Sequence, residues 1–121
     1  MKKAYYLSTC DTCKRIIKSL PSTEDIVFQD IKKEPVTTQQ LEQMHALAGS
    51  YQKLFSKRAQ LYKQRNLKEK ELTEKDYKDL LLEHYTFLSR PVFILNDKIF
   101  IGNNSKVVEE LNQELSKNIT P

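Results

Sequence analysis

Apolar positions along this 121-residue chain follow two rhythms. Unbroken apolar runs, Ala4–Leu7, Ile26–Phe28, Val92–Leu95 and Ile99–Ile101, read as short buried strands. Elsewhere apolar residues recur three and four positions apart, the spacing of one helical face. Ile16, Ile17 and Leu20 predict a helix over Cys13–Leu20, stopped by Pro21-Ser22. Leu41, Met44 and Leu47 predict a second, capped by Thr37 or Thr38 and closed by Gly49. Tyr51–Phe55 and Ala59–Arg65 predict shorter ones. Thr73 followed by Asp76 is close to a capping box, opening a helix with Tyr77, Leu80 and Leu81 inward that ends near His84. Asn96-Asp97 signals a two-residue hairpin turn, and Gly102 breaks the strand after it. Ser105 is placed to cap a last helix bearing Val107, Val108, Leu111 and Leu115, and Ser116–Pro121 is expected to fray.

Strand, helix and strand within about thirty residues form a βαβ unit, which requires parallel pairing and a right-handed crossover. The full order is βαβ, a helical stretch, then ββα. The predicted fold is therefore α/β: a thioredoxin-like mixed four-stranded sheet with a helical insertion, about residues 35–88, between the second and third strands. A chain of this length fits a single domain over residues 1–121.

Composition narrows the setting. Hydrophobic residues make up 39% of the chain and mean hydropathy is -0.62, so a compact core under a charged surface is expected. No apolar run approaches the ~20 residues that span a bilayer, so no membrane association is expected. Met1-Lys2-Lys3 leads straight into the first strand with no signal peptide between. With no secretion signal and only two cysteines, a reducing cytoplasm is the expected location. The net charge of +4 is uneven: Tyr51–Arg65 holds Lys53, Lys57, Arg58, Lys63 and Arg65 and no acidic residue. Such a stretch faces an anionic partner or is a solvated helix face, and both readings stand. It does not interleave stacking aromatics as a single-strand binding surface does, so direct contact with nucleic acid is not expected.

The chemistry lies in Ser8-Thr9-Cys10-Asp11-Thr12-Cys13-Lys14, at the junction of the first strand and helix. Two thiols at this spacing and place are the sequence form of a dithiol redox site. Unpaired amides and the dipole at a helix start favour thiolate, the nucleophilic form. A second thiol one turn on can resolve the adduct that the first one forms. Structural zinc needs about four ligands, and there is no second cysteine pair, while His45 and His84 lie far apart in sequence. A structural disulfide would close only a very short loop, which constrains the unfolded chain little. Redox use is the favoured reading, with no metal expected.

Four stretches taken together resemble the arsenate reductase-related group of thioredoxin-fold proteins, which includes ArsC, the regulator Spx and the YffB-type proteins. They are Cys10-Asp11-Thr12, Asp30-Ile31-Lys32-Lys33-Glu34-Pro35, Leu54-Phe55-Ser56-Lys57-Arg58, and Ser89-Arg90-Pro91-Val92 with Ile101-Gly102. The resemblance implies that Cys10 is the nucleophile and that Arg58 and Arg90 hold the oxyanion. Their planar forks pair bidentately with oxygen anions in a way that lysine does not. It also implies that Pro91 is a structural cis-proline beside the site.

Two positions depart from the arsenate reductase pattern. Cys13 stands where the glutathione-coupled enzymes usually have no cysteine and where Spx has its second. Asn103 stands where they carry a third arginine. The implied function is a thiol-dependent oxidoreductase that uses Cys10 and Cys13 to reduce an oxyanion such as arsenate, or a disulfide. No bound cofactor is expected; glutathione, glutaredoxin or thioredoxin would supply electrons. The alternative is an Spx-like redox-sensing regulator whose partner is the α subunit of RNA polymerase.

Overall fold

Val92-Phe93-Ile94-Leu95 form an inner strand of the sheet, and all four residues are buried. A strand paired along both edges and buried on both faces has no side to keep polar, which is why its apolar run is unbroken. The computed structural model describes residues 2–117. Element order is β1 (Lys2–Tyr6), α1 (Asp11–Ser19), β2 (Val27–Asp30), α2 (Thr38–Ala48), α3 (Gln60–Gln64), α4 (Glu74–Glu83), β3 (Val92–Leu95), β4 (Lys98–Ile101) and α5 (Ser105–Ser116). Short 3-10 turns occupy Gln52–Leu54, Leu67–Glu69 and Tyr85–Phe87. The chain divides into two units. One holds the residues up to Lys33 together with those from Arg90 onward; the other is Glu34–Ser89.

The first unit contains a mixed four-stranded sheet in the order β2-β1-β3-β4. β1 runs parallel to β2 and antiparallel to β3, which pairs antiparallel with β4. Register places Phe28, Ala4, Phe93 and Phe100 side by side across all four strands. Because Ala4 carries only a methyl group, Phe28 and Phe93 reach across it and meet edge to face, centroids 6.3 Å apart. Leu111 and Leu115 of α5 join this row in one core, with Ile17 of α1 and Val107 of α5 packed against it. Phe93→Ala is expected to lower the unfolding free energy by about 3–5 kcal/mol, read by urea denaturation, because it empties the middle of that row.

In the second unit, Thr37 and Gln40 form a reciprocal capping box at the start of α2, and Thr73 and Asp76 form another at the start of α4. Gly49 ends α2 at φ +90°, a backbone angle that side-chain-bearing residues rarely adopt. The amide of Ser56 donates to the Phe87 carbonyl at 2.7 Å, and that of Ser89 to the Leu54 carbonyl at 2.8 Å. Phe55 stacks on Phe87 and meets Tyr62 and Tyr77 edge to face.

Several boundaries differ from the sequence reading. β1 covers Lys2–Tyr6 rather than Ala4–Leu7, because the ladder to β3 begins at Lys2 and backbone pairing does not require an apolar side chain. β2 extends to Asp30, carried by its parallel register with Tyr6. α1 begins at Asp11 rather than Cys13 and ends one residue early, at Ser19. Asn104, not Ser105, caps α5, its side-chain oxygen accepting from the Lys106 amide at 2.8 Å. Of the tail expected to fray, Ser116 closes α5, and residues 118–121 lie outside those described.

Candidate active site

The connection from β1 to α1 sets the geometry. The Cys10 amide donates to the Leu7 carbonyl at 3.0 Å, closing a tight turn. Cys10 is in extended conformation and acts as the N-cap of α1, with its Sγ accepting from the Cys13 amide at 3.4 Å. The sulfur thus stands where a serine or aspartate oxygen caps most helices, against amides that the first turn leaves unpaired. Negative charge on that sulfur is favoured by the same amides and by the dipole. Cys13, in the first turn, is fully buried, whereas Cys10 is only half-buried. Both are free thiols.

The two thiols are pushed in opposite directions. For Cys10, burial is the largest single influence and acts upward, but it is outweighed. Hydrogen bonds from the Cys13 amide and thiol, the charge of the Arg90 guanidinium and a hydrogen bond from the Thr12 amide together bring it below the ordinary cysteine value. For Cys13, burial dominates, reinforced by the neighbouring sulfur, and raises its pKa to about 11. Relative to ordinary cysteines the accessible sulfur is thus shifted toward thiolate, while the buried one is held as thiol at neutral pH.

Arg90 reaches both sulfurs with its charge, although it is far from them in sequence. It lies two residues before β3, and its peptide bond to the intervening, buried Pro91 is cis. The Pro91 carbonyl accepts from the Gly102 amide at 2.9 Å, and Gly102 has φ +88°. No atom would obstruct a Cβ at Gly102, so the backbone angle, not the space, calls for glycine. Arg58 belongs to the Glu34–Ser89 unit, where it is exposed and its amide donates to Ser56 Oγ at 3.3 Å. Cys10, Cys13, Arg90 and Pro91 thus share one unit, and Arg58 is in the other.

One feature of the site is absent from the sequence reading. Ser8 Oγ donates to the Asp30 carboxylate at 2.5 Å, tying the Leu7–Cys10 turn to the end of β2. This hydrogen bond, with the Lys32 amide and the charge of Lys33, holds the Asp30 carboxyl below its usual range despite slight desolvation. The available signal was register: Tyr6 pairs with Asp30, so Ser8 emerges just beyond that strand end. Asn103 lines a hollow of about 460 Å³ together with Arg15, Ser19, Ser105 and the carboxylate-bearing Glu109, over Ile16 and Val108.

The remaining candidates have structural surroundings. Asp11 is exposed in the first turn, next to the capping sulfur. Tyr5 is buried in β1. His45 stacks on Tyr51 and lies 3.9 Å from Glu74. His84 terminates α4, and its Nδ1 accepts from the Thr86 amide at 3.2 Å. Among the described residues no three His, Cys, Asp or Glu side chains are grouped to hold a metal ion. No helix of the described residues is long and apolar enough to cross a membrane.

The ArsC family model matches residues 5–111. The fold is similar to that of a Bacteroides fragilis protein described as ArsC family related, with TM-score 0.76 and 22% identity over 91% of this chain and 96% of that one. A Streptococcus mutans protein described as a possible arsenate reductase is 26% identical over 93% of this chain and 98% of that one, with TM-score 0.73. A Staphylococcus aureus protein is 27% identical over 91% and 97%, with TM-score 0.70. No curated protein matches the chain by sequence.

Proposed function

The chain belongs to the ArsC family, and we propose that it is a thiol-dependent oxidoreductase whose Cys10 and Cys13 reduce an oxyanion such as arsenate, or a disulfide. One observation carries the reading: two thiols share a helix start, one accessible and biased toward thiolate, the other buried and held protonated. An attacking sulfur must be ionised and reachable, whereas a resolving sulfur serves best if it stays silent until the first step is complete.

With a disulfide substrate, Cys10 thiolate attacks one sulfur and expels the other as thiolate, leaving a mixed disulfide. Cys13 gives up its proton, attacks the Cys10 sulfur and releases the second substrate thiolate. The substrate gains two electrons, and the dithiol becomes an internal disulfide. With arsenate, Cys10 sulfur bonds to arsenic while a protonated oxygen leaves as water. When Cys13 sulfur bonds to Cys10, the sulfur–arsenic bond breaks with its electron pair kept by arsenic, which passes from the pentavalent to the trivalent state. Arg90, which already favours negative charge on the thiols, would stabilise the developing anion, with Arg58 assigned the same role by family resemblance. Asn103 replaces the third arginine of that pattern, and Arg15 lines the same hollow. Glutathione, glutaredoxin or thioredoxin would return the internal disulfide to the dithiol.

The test is turnover by the purified reduced protein, with arsenate and with a small disulfide, each donor supplied in turn and NADPH consumption followed. Turnover of either substrate supports the proposal; none with any donor overturns it. A second reading, an Spx-like switch, draws on the same thiol asymmetry and on the exposure of Arg58. It requires capture of the RNA polymerase α subunit that depends on thiol oxidation, and equal capture by both redox states excludes it.

A further inference from the structure

Apart from Arg58, the basic stretch noted in the sequence is given no part in the proposed thiol chemistry. In the Glu34–Ser89 unit it folds so that Lys57, Lys63 and Lys68 border one hollow of about 350 Å³, with Tyr62, Asn66 and a single carboxylate, Glu69. Three elements contribute: the loop before α3, α3 itself and the 3-10 turn Leu67–Glu69. Asn66, at φ 53°, turns the chain between the last two and so brings Lys68 to the side on which Lys63 stands. Tyr62 is fixed there by its edge-to-face contact with Phe55, centroids 5.9 Å apart.

Among the described residues, the lysines around this hollow are not spent in ion pairs. The ion pairs of the described residues use Lys2, His45, Arg65, Lys75, Lys78, Lys98 and Lys117, and none uses Lys57, Lys63 or Lys68. Basic groups collected around a concavity raise the local concentration of anions more than the same charges spread over a convex surface. The volume lies in the range of small-ligand sites. Lysine ammonium groups bind phosphate as point charges, with no fixed fork geometry to satisfy.

We infer that this hollow is a binding site for a compact polyanion carrying at least two phosphates, held by Lys57, Lys63 and Lys68 and separate in its residues from the cysteine pair. Two sources share this chemistry: inorganic pyrophosphate, and a nucleoside diphosphate whose base would lie on the Tyr62 ring.

Titration calorimetry of the full chain at low salt, with pyrophosphate and with ADP as probes, tests the inference. Binding of at least one probe is expected, weakening as salt rises. The triple variant Lys57→Gln/Lys63→Gln/Lys68→Gln should lose about tenfold to a hundredfold in affinity. These side chains are exposed, and circular dichroism with thermal melting establishes that the variant folds. The control Lys32→Gln/Lys33→Gln removes charge elsewhere and should leave affinity unchanged. Stronger binding of ADP than of pyrophosphate, with the difference abolished in Tyr62→Leu, identifies a nucleotide site. Equal binding identifies a site for the phosphates alone. No binding of either probe, or equal losses in the triple variant and the control, overturns the inference.

Discussion

Cys10→Ser is expected to lower reductase turnover by about a thousandfold or more, with both substrates and every donor. A serine hydroxyl at neutral pH is essentially un-ionised and is a far weaker nucleophile than a thiolate. The helix start that favours a thiolate cannot bridge the gap to an alkoxide. The fold should survive, because a hydroxyl oxygen caps a helix at least as well as sulfur does. A melting temperature close to that of the wild type, together with lost turnover, therefore separates chemistry from structure. Turnover near the wild-type rate in Cys10→Ser would remove this cysteine from the mechanism altogether.

Cys13→Ser tests the other half of the pair and gives a different readout. The first attack is intact, so one equivalent of a disulfide substrate should react and then stop as a mixed disulfide on Cys10, visible as an adduct in intact-protein mass spectrometry. The assignment of Cys13 rests on its burial and its position one turn from Cys10. If glutathione restores full turnover to this variant, resolution belongs to the external thiol and Cys13 loses its role. If the adduct accumulates and only Cys13-bearing protein cycles, the internal disulfide is the oxidised form.

Much of this architecture was legible because its signals are local. The unbroken run of β3 and the three-and-four spacing of α1 and α5 each report directly on burial and period, and they place the sheet and its helices in order. The shifted boundaries have a common cause. Strand ends follow backbone pairing, which extended β1 to Lys2 and β2 to Asp30 whatever the side chains there. The start of α1 escaped because the capping group is a thiol, and capping rules are framed on oxygen.

The site divides in the same manner. The spacing of Cys10 and Cys13 is written in adjacent residues, whereas Ser8 meets Asp30 only through the parallel register of β1 and β2. Arg90 could be singled out from the sequence only by resemblance, since nothing near it indicates a thiol partner. Its influence on both sulfurs depends on β3 pairing antiparallel to β1, which brings the start of β3 alongside the end of β1 from which the cysteine turn departs. The basic stretch was visible as charge, but not the concavity, because Asn66 and Lys68 lie beyond it and act through a left-handed turn.

The pH dependence of alkylation should resolve the two thiols. Iodoacetamide reacts with thiolate, so the rate at each cysteine follows its ionised fraction. In the native protein Cys10 should show a midpoint below the ordinary cysteine value, set by hydrogen bonds and by Arg90 against the opposing effect of burial. Cys13 should stay unreactive across neutral pH, its ionisation displaced to about 11 chiefly by burial. As pH falls through the Cys10 midpoint, its labelling and its turnover should decline together, since both need the same thiolate. Arg90→Met removes a guanidinium that acts on this sulfur and should move the midpoint upward, slowing labelling at neutral pH. Arg90→Lys keeps the charge but loses the fork, so it should retain more of the low midpoint while weakening any oxyanion substrate. Peptide mapping by mass spectrometry assigns each rate to its cysteine, and circular dichroism monitors the fold of both variants. A Cys10 midpoint at or above that of a free thiol, or one that Arg90→Met leaves unmoved, would separate the guanidinium from the reacting sulfur. In the second case a low midpoint would have to come from the helix start and its hydrogen bonds.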